Sequence, residues 1–246
     1  MRRGIAVLTA AAGLALEGCA SSAPPLPRRQ VERSVTLADG NRVRYLFYTP
    51  SGEGVGADAG LPLILFLHGA GERGQDLDRL RREGLLRLLD SLERFPFLVV
   101  APQIVTKRWD VRWLPGFLEA ILRAHPADPE RVAVTGLSTG AVASLELAML
   151  RPDSFSAVVA VTPDRVPAGL CRIGRIPVWI FQNARDVRVP PRHARSIARA
   201  ITACGGTARL TMFPRDGHDA WSEAYVYPGL YDWIRAQRLP ARPDRP

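Results

Sequence analysis

VAVTGLSTGAVASLELAML, residues 132–150, opens as a β-branched apolar run and closes as a helix-forming one, with Ser138 between Gly136 and Gly140 at the change. The G-x-S-x-G spacing predicts a sharp strand-to-helix turn that lifts a serine hydroxyl above the carboxyl edge of a sheet. Glycine is needed on both flanks because side chains there would collide with the neighbouring strand and helix. The helix behind Ser138 aims its positive end at the hydroxyl, which favours negative charge developing on a bound oxygen. Five residues of this kind recur by chance; their place between a strand-like and a helix-like run gives them weight.

Working outward, the apolar period keeps switching. Residues 31–50 hold two partly alternating segments around Asp39 and Gly40, a predicted β-hairpin. After a Gly/Ala-rich loop at 51–60, LPLILFLHG (61–69) is the continuous apolar run of a buried parallel strand. Leucines at helical spacing predict a helix over 76–95, followed by a strand at 96–102 and a helix at 113–125. Past the opening stretch come strands at 155–162 and 176–182, a helix at 191–204, a strand at 208–214 and a helix at 223–237. Strands alternating with helices predict an α/β domain: a mostly parallel central sheet with helices on both faces.

A chain of 246 residues with 47% hydrophobic content buries roughly 70–75% of its unfolded surface, which suits one domain. The formal net charge of +9 comes almost wholly from arginine, Lys107 being the only lysine, and the arginines are spread along the chain among acidic residues. That is the pattern of a solvated surface, and it argues against nucleic acid as a partner. At the N-terminus, Arg2 and Arg3 precede an apolar run from Gly4 to Leu16, too short for a bilayer span of about 20 residues and suited to an export signal over residues 1–18. LEGC, ending at Cys19, is similar to the lipidation site of bacterial lipoproteins, although Glu17 departs from it; ordinary secretion is the alternative. Residues 19–30, rich in Pro, Ser and Ala, read as a tether from membrane to domain. The domain proper is expected over 31–238 and a disordered tail over 239–246. Export to an oxidising compartment would permit Cys171 and Cys204 to pair, but their spacing does not show that they meet.

A serine hydroxyl is a poor nucleophile until a base takes its proton. The chain has four histidines. His125, before Pro126 in an expected interhelical loop, and His193, in an Arg-rich helix, read as surface residues. His68 precedes the glycine-rich GAGERGQD, which suits close approach of backbone N–H groups to a ligand. His218, in FPRDGHDAW after the last strand, is placed to reach Ser138. The orienting carboxylate is expected from Asp186, after the preceding strand; Asp164, one strand earlier, is the alternative, and Asp216 and Asp219 lie too close to His218 to curl back onto its ring. His68, Asp76, His218 and Asp219 lack the spacing of a metal site, and no metal or cofactor is expected.

With these residues in view, the chain resembles the α/β-hydrolase superfamily, with Ser138, Asp186 and His218 in its triad order. Within it the likeness is to exported carboxylesterases and predicted peptidases related to feruloyl esterases and polyhydroxybutyrate depolymerases. It rests on LHGAGERGQD (67–76), APQ (101–103), GLSTG (136–140), and GHDAWSEAY (217–225) followed by LYDWI (230–234), and covers about residues 35–237. The resemblance implies acyl transfer from an ester through an acyl-enzyme, with backbone N–H groups of Ala70 and Thr139 as the oxyanion hole and His68 as a structural residue. A peptidase or acyltransferase using the same triad, or a noncatalytic envelope-binding lipoprotein, are the alternatives. Trp221 would line the substrate side or, equally, sit in the core under the last helix. Two departures stand out: Thr139, Gly140 and Ala141 where many relatives have Met-Gly-Gly, and Gln182 and Asn183 where a His-Gly pair is more usual, which leaves the loop before Asp186 open. The stretch from Val161 to Pro177 is too short for a cap domain, so the site is expected to be open to bulky or polymer-linked esters.

Overall fold

A computed structural model of the chain describes residues 30–50, 60–92 and 94–240. The export signal, Cys19 and nearly all of the tether lie outside the described residues, as do residues 241–246.

The first two strands, β1 (Gln30–Thr36) and β2 (Arg42–Tyr48), form the expected antiparallel hairpin. They join β3 (Leu61–Leu67), β4 (Leu98–Pro102), β5 (Ala127–Leu137), β6 (Ala157–Val161), β7 (Val178–Arg185) and β8 (Ala208–Asp216) in one eight-stranded sheet ordered 1-2-4-3-5-6-7-8. β2 runs antiparallel to β4, and every pairing from β4 to β8 is parallel. The central strands read as unbroken apolar runs because both of their faces are covered. Leu63, Leu65, Val132, Val134, Val158, Ala160, Val178 and Ile180 enter one core, with α2 (Leu114–Ala124), α3 (Thr139–Leu150) and α4 (Arg192–Ala203). Their neighbours Ile64, Phe66, Ala133, Val159, Trp179 and Phe181 enter the other, with α1 (Gly84–Leu89), α5 (Trp221–Ala224) and α6 (Leu230–Ala236). The two helix types differ as their surroundings require: α4 buries Ala194, Ile197 and Ile201 along one stripe, whereas α3 buries residues all round and sits deep against the sheet.

Three expectations need correction. The helix over 76–95 is a 3-10 turn, Leu77–Arg82, followed by the short α1. Gly84 breaks it with φ +61°, and a Cβ there would lie 2.8 Å from Leu137 and 3.0 Å from Phe66, so the bend brings backbone against the end of β5. The helix over 223–237 is also split, into α5 and α6, because Pro228 between them has no N–H and disfavours a helical Tyr227. His125 is not interhelical: it ends α2 just before β5 and stacks on Phe47 at 4.0 Å. At the expected end of the domain, Arg238 pairs with Glu130 and Asp128, and Leu239 N–H donates to Glu130 O at 2.8 Å.

The connection from β6 to β7 holds only a short 3-10 turn, Leu170–Ile173, and no cap domain. Cys171 in that turn is bridged to Cys204 at the end of α4, with their Cα atoms 5.3 Å apart. The pairing that the sequence left open is therefore made.

Candidate active site

Ser138 stands between β5 and α3 with φ 52° and ψ −116°, a conformation few non-glycine residues adopt. A Cβ on Gly140 would lie 2.0 Å from Leu67 O, and one on Gly136 would lie 2.4 Å from the Gly140 carbonyl. Both glycines are thus fixed by backbone, which cannot move aside as a flexible side chain would.

The loop after β8 carries His218 to the same sheet edge. Its Nε2 lies 3.1 Å from Ser138 Oγ, and its Nδ1 lies 2.8 Å from Asp186 Oδ2. The side chain of Asp186, in the loop after β7, is completely shielded from solvent, whereas the His218 side chain is 11% exposed. Oδ1 of Asp186 accepts the N–H groups of Arg188 and Val189, each at 2.9 Å. Burial pulls the Asp186 pKa up, but the hydrogen bonds from His218 and the backbone outweigh it, and the net shift is downward. With a carboxylate accepting at Nδ1, that nitrogen carries the proton and Nε2 is left with a lone pair facing Ser138. Asp164 borders the cavity next to Ser138, and no hydrogen bond among the described residues joins it to His218. Of the two carboxylates that the sequence offered, Asp186 is the one hydrogen-bonded to the ring.

Gln182 and Asn183, the unexpected pair at the end of β7, hold these groups in place. Gln182 Nε2 donates to Asp186 Oδ2 at 3.1 Å. Asn183 Nδ2 lies 3.4 Å from Asp216 O and 3.1 Å from both Gly217 O and Asp219 O, the carbonyls around His218. The departure marked in the sequence was the available signal; what Asn183 reaches is 33 to 36 residues away and was not legible.

A cavity of about 530 Å³ opens on Ser138, lined among others by Gly69, Ala70, Thr139, Glu72, Glu83 and Trp221. Thr139 opens α3, so its N–H has no carbonyl partner within the helix. The N–H of Ala70 donates to no backbone carbonyl among the described residues. Both residues named from the resemblance thus line the cavity, and among the described residues neither amide donates to a backbone carbonyl outside its own helix or strand. The loop bearing Ala70 is held from the APQ stretch and from within: Gln103 Nε2 donates to Glu72 O at 2.7 Å and Asp76 O at 2.8 Å, and Arg73 hydrogen-bonds Ala70 O. His68 is structural. Its Nδ1 meets Gly69 O at 2.6 Å and its Nε2 accepts from Ile104 N–H at 3.1 Å, while burial pushes its pKa down to about 4 against the lift from Gly69. Trp221 both borders the cavity and rests on the core beneath α1 and α6. Its Nε1–H donates to Glu83 Oε2 at 2.7 Å, a partner that sequence reasoning missed. Among the described residues, no three His, Cys, Asp or Glu side chains gather as a metal site.

No model of a protein family matches the sequence, and no curated protein does. Solved structures do match in fold. A thermostable esterase superposes with TM-score 0.72 at 22% identity, over 85% of this chain and 63% of that one. An acylaminoacyl peptidase of Pyrococcus horikoshii gives 0.63 at 12%, over 89% and 43%, and a ferulic acid esterase gives 0.62 at 16%, over 83% and 98%. The chain thus spans less than two thirds of the length of the first two proteins. What it shares with all three is the α/β-hydrolase fold.

Proposed function

We propose that the protein is a serine hydrolase that cleaves carboxylic esters through an acyl-enzyme. The hydrogen-bonded line from Ser138 through His218 to buried Asp186 is the observation that carries this reading. Ser138 Oγ attacks the ester carbonyl as its proton passes to His218 Nε2, and the amides of Ala70 and Thr139 receive the oxyanion. Collapse of the tetrahedral adduct breaks the bond to the alcohol, which leaves with the proton from His218. Water, deprotonated by the same nitrogen, then attacks the acyl-serine and releases the acid. Asp186 keeps the ring in the tautomer that can accept at Nε2.

Ser138→Ala is the test. It should melt as the wild type does, yet lose both covalent labelling by a fluorescent phosphonate and turnover of p-nitrophenyl acetate; persistent labelling would move the nucleophile elsewhere. A panel of short-chain aryl esters, hydroxycinnamate esters and aminoacyl amides separates an esterase from a peptidase with the same triad.

Export and anchoring through a lipidated Cys19 belong to the same proposal, and the Cys171–Cys204 bridge supports an oxidising compartment. Cys19→Ala should release the protein from membranes; a wild-type protein that is wholly soluble and unmodified would refute the anchor.

A further inference from the structure

The cavity at Ser138 is acidic in a chain that is strongly basic overall. Among the described residues, Glu72, Glu83 and Asp164 border it against a single arginine, Arg188, whereas the whole chain carries +9. Trp221 stands edge-on to His218, ring centroids 5.3 Å apart, and so forms the wall beside the base. Its bond to Glu83 locks indole and carboxylate into one unit across 138 residues of chain. At the same cavity, Oε2 of Glu72 is shielded from solvent and has no hydrogen-bond partner among the described residues. A carboxyl oxygen in that state costs free energy until a donor or a cation meets it. Burial is the main cause that raises the Glu72 pKa, reinforced by the charge of Glu83; the nearby Gly69 and Glu72 amides, which make no hydrogen bond of normal geometry to Oε2, oppose it only in part.

We propose that Trp221 and Glu83, backed by Glu72, form a subsite for an alkylammonium group on the substrate. This rests on the serine-hydrolase reading and names its substrate class: esters that carry a positive charge within reach of the scissile carbonyl. An aromatic wall and a carboxylate both attract a cation, and a quaternary ammonium is weakly hydrated, so little is lost on leaving water. Anionic esters meet three carboxylates and are disfavoured.

The experiment compares acetylcholine with 3,3-dimethylbutyl acetate, isosteres that differ in one nitrogen for carbon and therefore in charge. They are measured as substrates and, as the free alcohols, as competitive inhibitors of p-nitrophenyl acetate turnover. The expected result at low salt is about a tenfold preference for the cation, summed from one aromatic and one partly exposed carboxylate contact. Raising NaCl to about 0.5 M should shrink it, because exposed charges are screened over a few ångströms there. Glu83→Gln keeps an acceptor for Trp221 and removes the charge, so the cation-to-neutral ratio should fall towards one; Glu72→Gln should lower the same ratio. The ratio is the readout, which a general loss of activity or fold does not move. Equal handling of the isosteres, or a preference that survives both variants, overturns the subsite. Neutral-ester turnover by Ser138 would persist in that case, whereas loss of labelling and of all turnover in the wild type would overturn the hydrolase reading itself.

Discussion

Replacing Asp186 by asparagine should invert the tautomer of His218, and the surroundings of the carboxyl decide why. The side-chain oxygen of the introduced asparagine must take the place of Oδ1, because the N–H groups of Arg188 and Val189 both point there at 2.9 Å. The new NH₂ then occupies the place of Oδ2, facing the Gln182 amide donor at 3.1 Å and His218 Nδ1 at 2.8 Å. Flipping the amide sets the NH₂ against two backbone donors instead, which is worse. The NH₂ therefore donates to Nδ1, the ring proton moves to Nε2, and an N–H faces Ser138 Oγ where a lone pair is needed. A triad that loses its orienting carboxylate in this way drops about 10⁴-fold in kcat, equivalent to about 5.5 kcal/mol of transition-state stabilisation. The assay is the initial rate on p-nitrophenyl acetate together with the rate of phosphonate labelling, after thermal melting shows both variants folded. Asp164→Asn is the comparison and should lose less than about tenfold, because among the described residues it has no hydrogen bond to the ring. The reasoning is refuted if Asp186→Asn retains more than about a hundredth of the wild-type rate, or if Asp164→Asn loses more than Asp186→Asn does.

Asp186 also shapes the acid limb of stability. Its folded pKa is lowered, so its contribution is complete above the unfolded value of about 3.9 and is lost as pH falls through the lower folded value; urea melts from pH 6 to 2 should show a shallower loss in Asp186→Asn than in the wild type. Asn183→Leu removes the amide that holds the three carbonyls around His218 and should lower kcat by roughly 10- to 100-fold with KM little changed, a misplacement effect; a change confined to KM would count against it. Reducing the Cys171–Cys204 bridge, or replacing both cysteines by serine, frees a loop of 33 residues' separation and should cost about 4 kcal/mol by the chain-entropy estimate, read from urea melts of the oxidised and reduced protein.

Much of the sheet was legible because its central strands are covered on both faces and so read as apolar runs, with alternate residues such as Leu63 and Ile64 entering opposite cores. The meeting of Ser138, Asp186 and His218 was legible for a related reason: parallel strands deliver the residues after β5, β7 and β8 to one edge, so position in the chain stood in for position in space. The two overlong helices failed because each has a breaker inside it, Gly84 in the one that leucine spacing pointed to and Pro228 in the other. What lay beyond reading were contacts whose partners share no pattern. Gln103 fastens the Ala70 loop through carbonyls 31 and 27 residues away, and any side chain that bonds to backbone leaves no mark on the residue that accepts. The meeting of Cys171 with Cys204 is of the same kind, since it depends on where α4 ends relative to the β6–β7 turn.

The conformation of Ser138 shows how the fold supports such a site. A non-glycine residue held outside the common backbone wells costs of order 1–3 kcal/mol and persists only where its surroundings leave no alternative. Here Ser138 N–H donates to Val161 O at 2.9 Å and Ser138 O accepts from Ala141 N–H at 3.1 Å, which fixes both sides of the residue. The helix cannot tilt to relieve the turn, because nine of the 12 residues of α3 are buried and Gly140 already touches the backbone of β3. Thr162, at the end of the next strand, repeats the arrangement: its φ is 48° and its N–H donates to Phe181 O on β7 at 2.8 Å. Adjacent strand ends therefore brace one another across the carboxyl edge, β5 on β6 and β6 on β7. The strained serine is held by the sheet as a whole, so its hydroxyl stays aimed at His218 without a dedicated partner to hold it there.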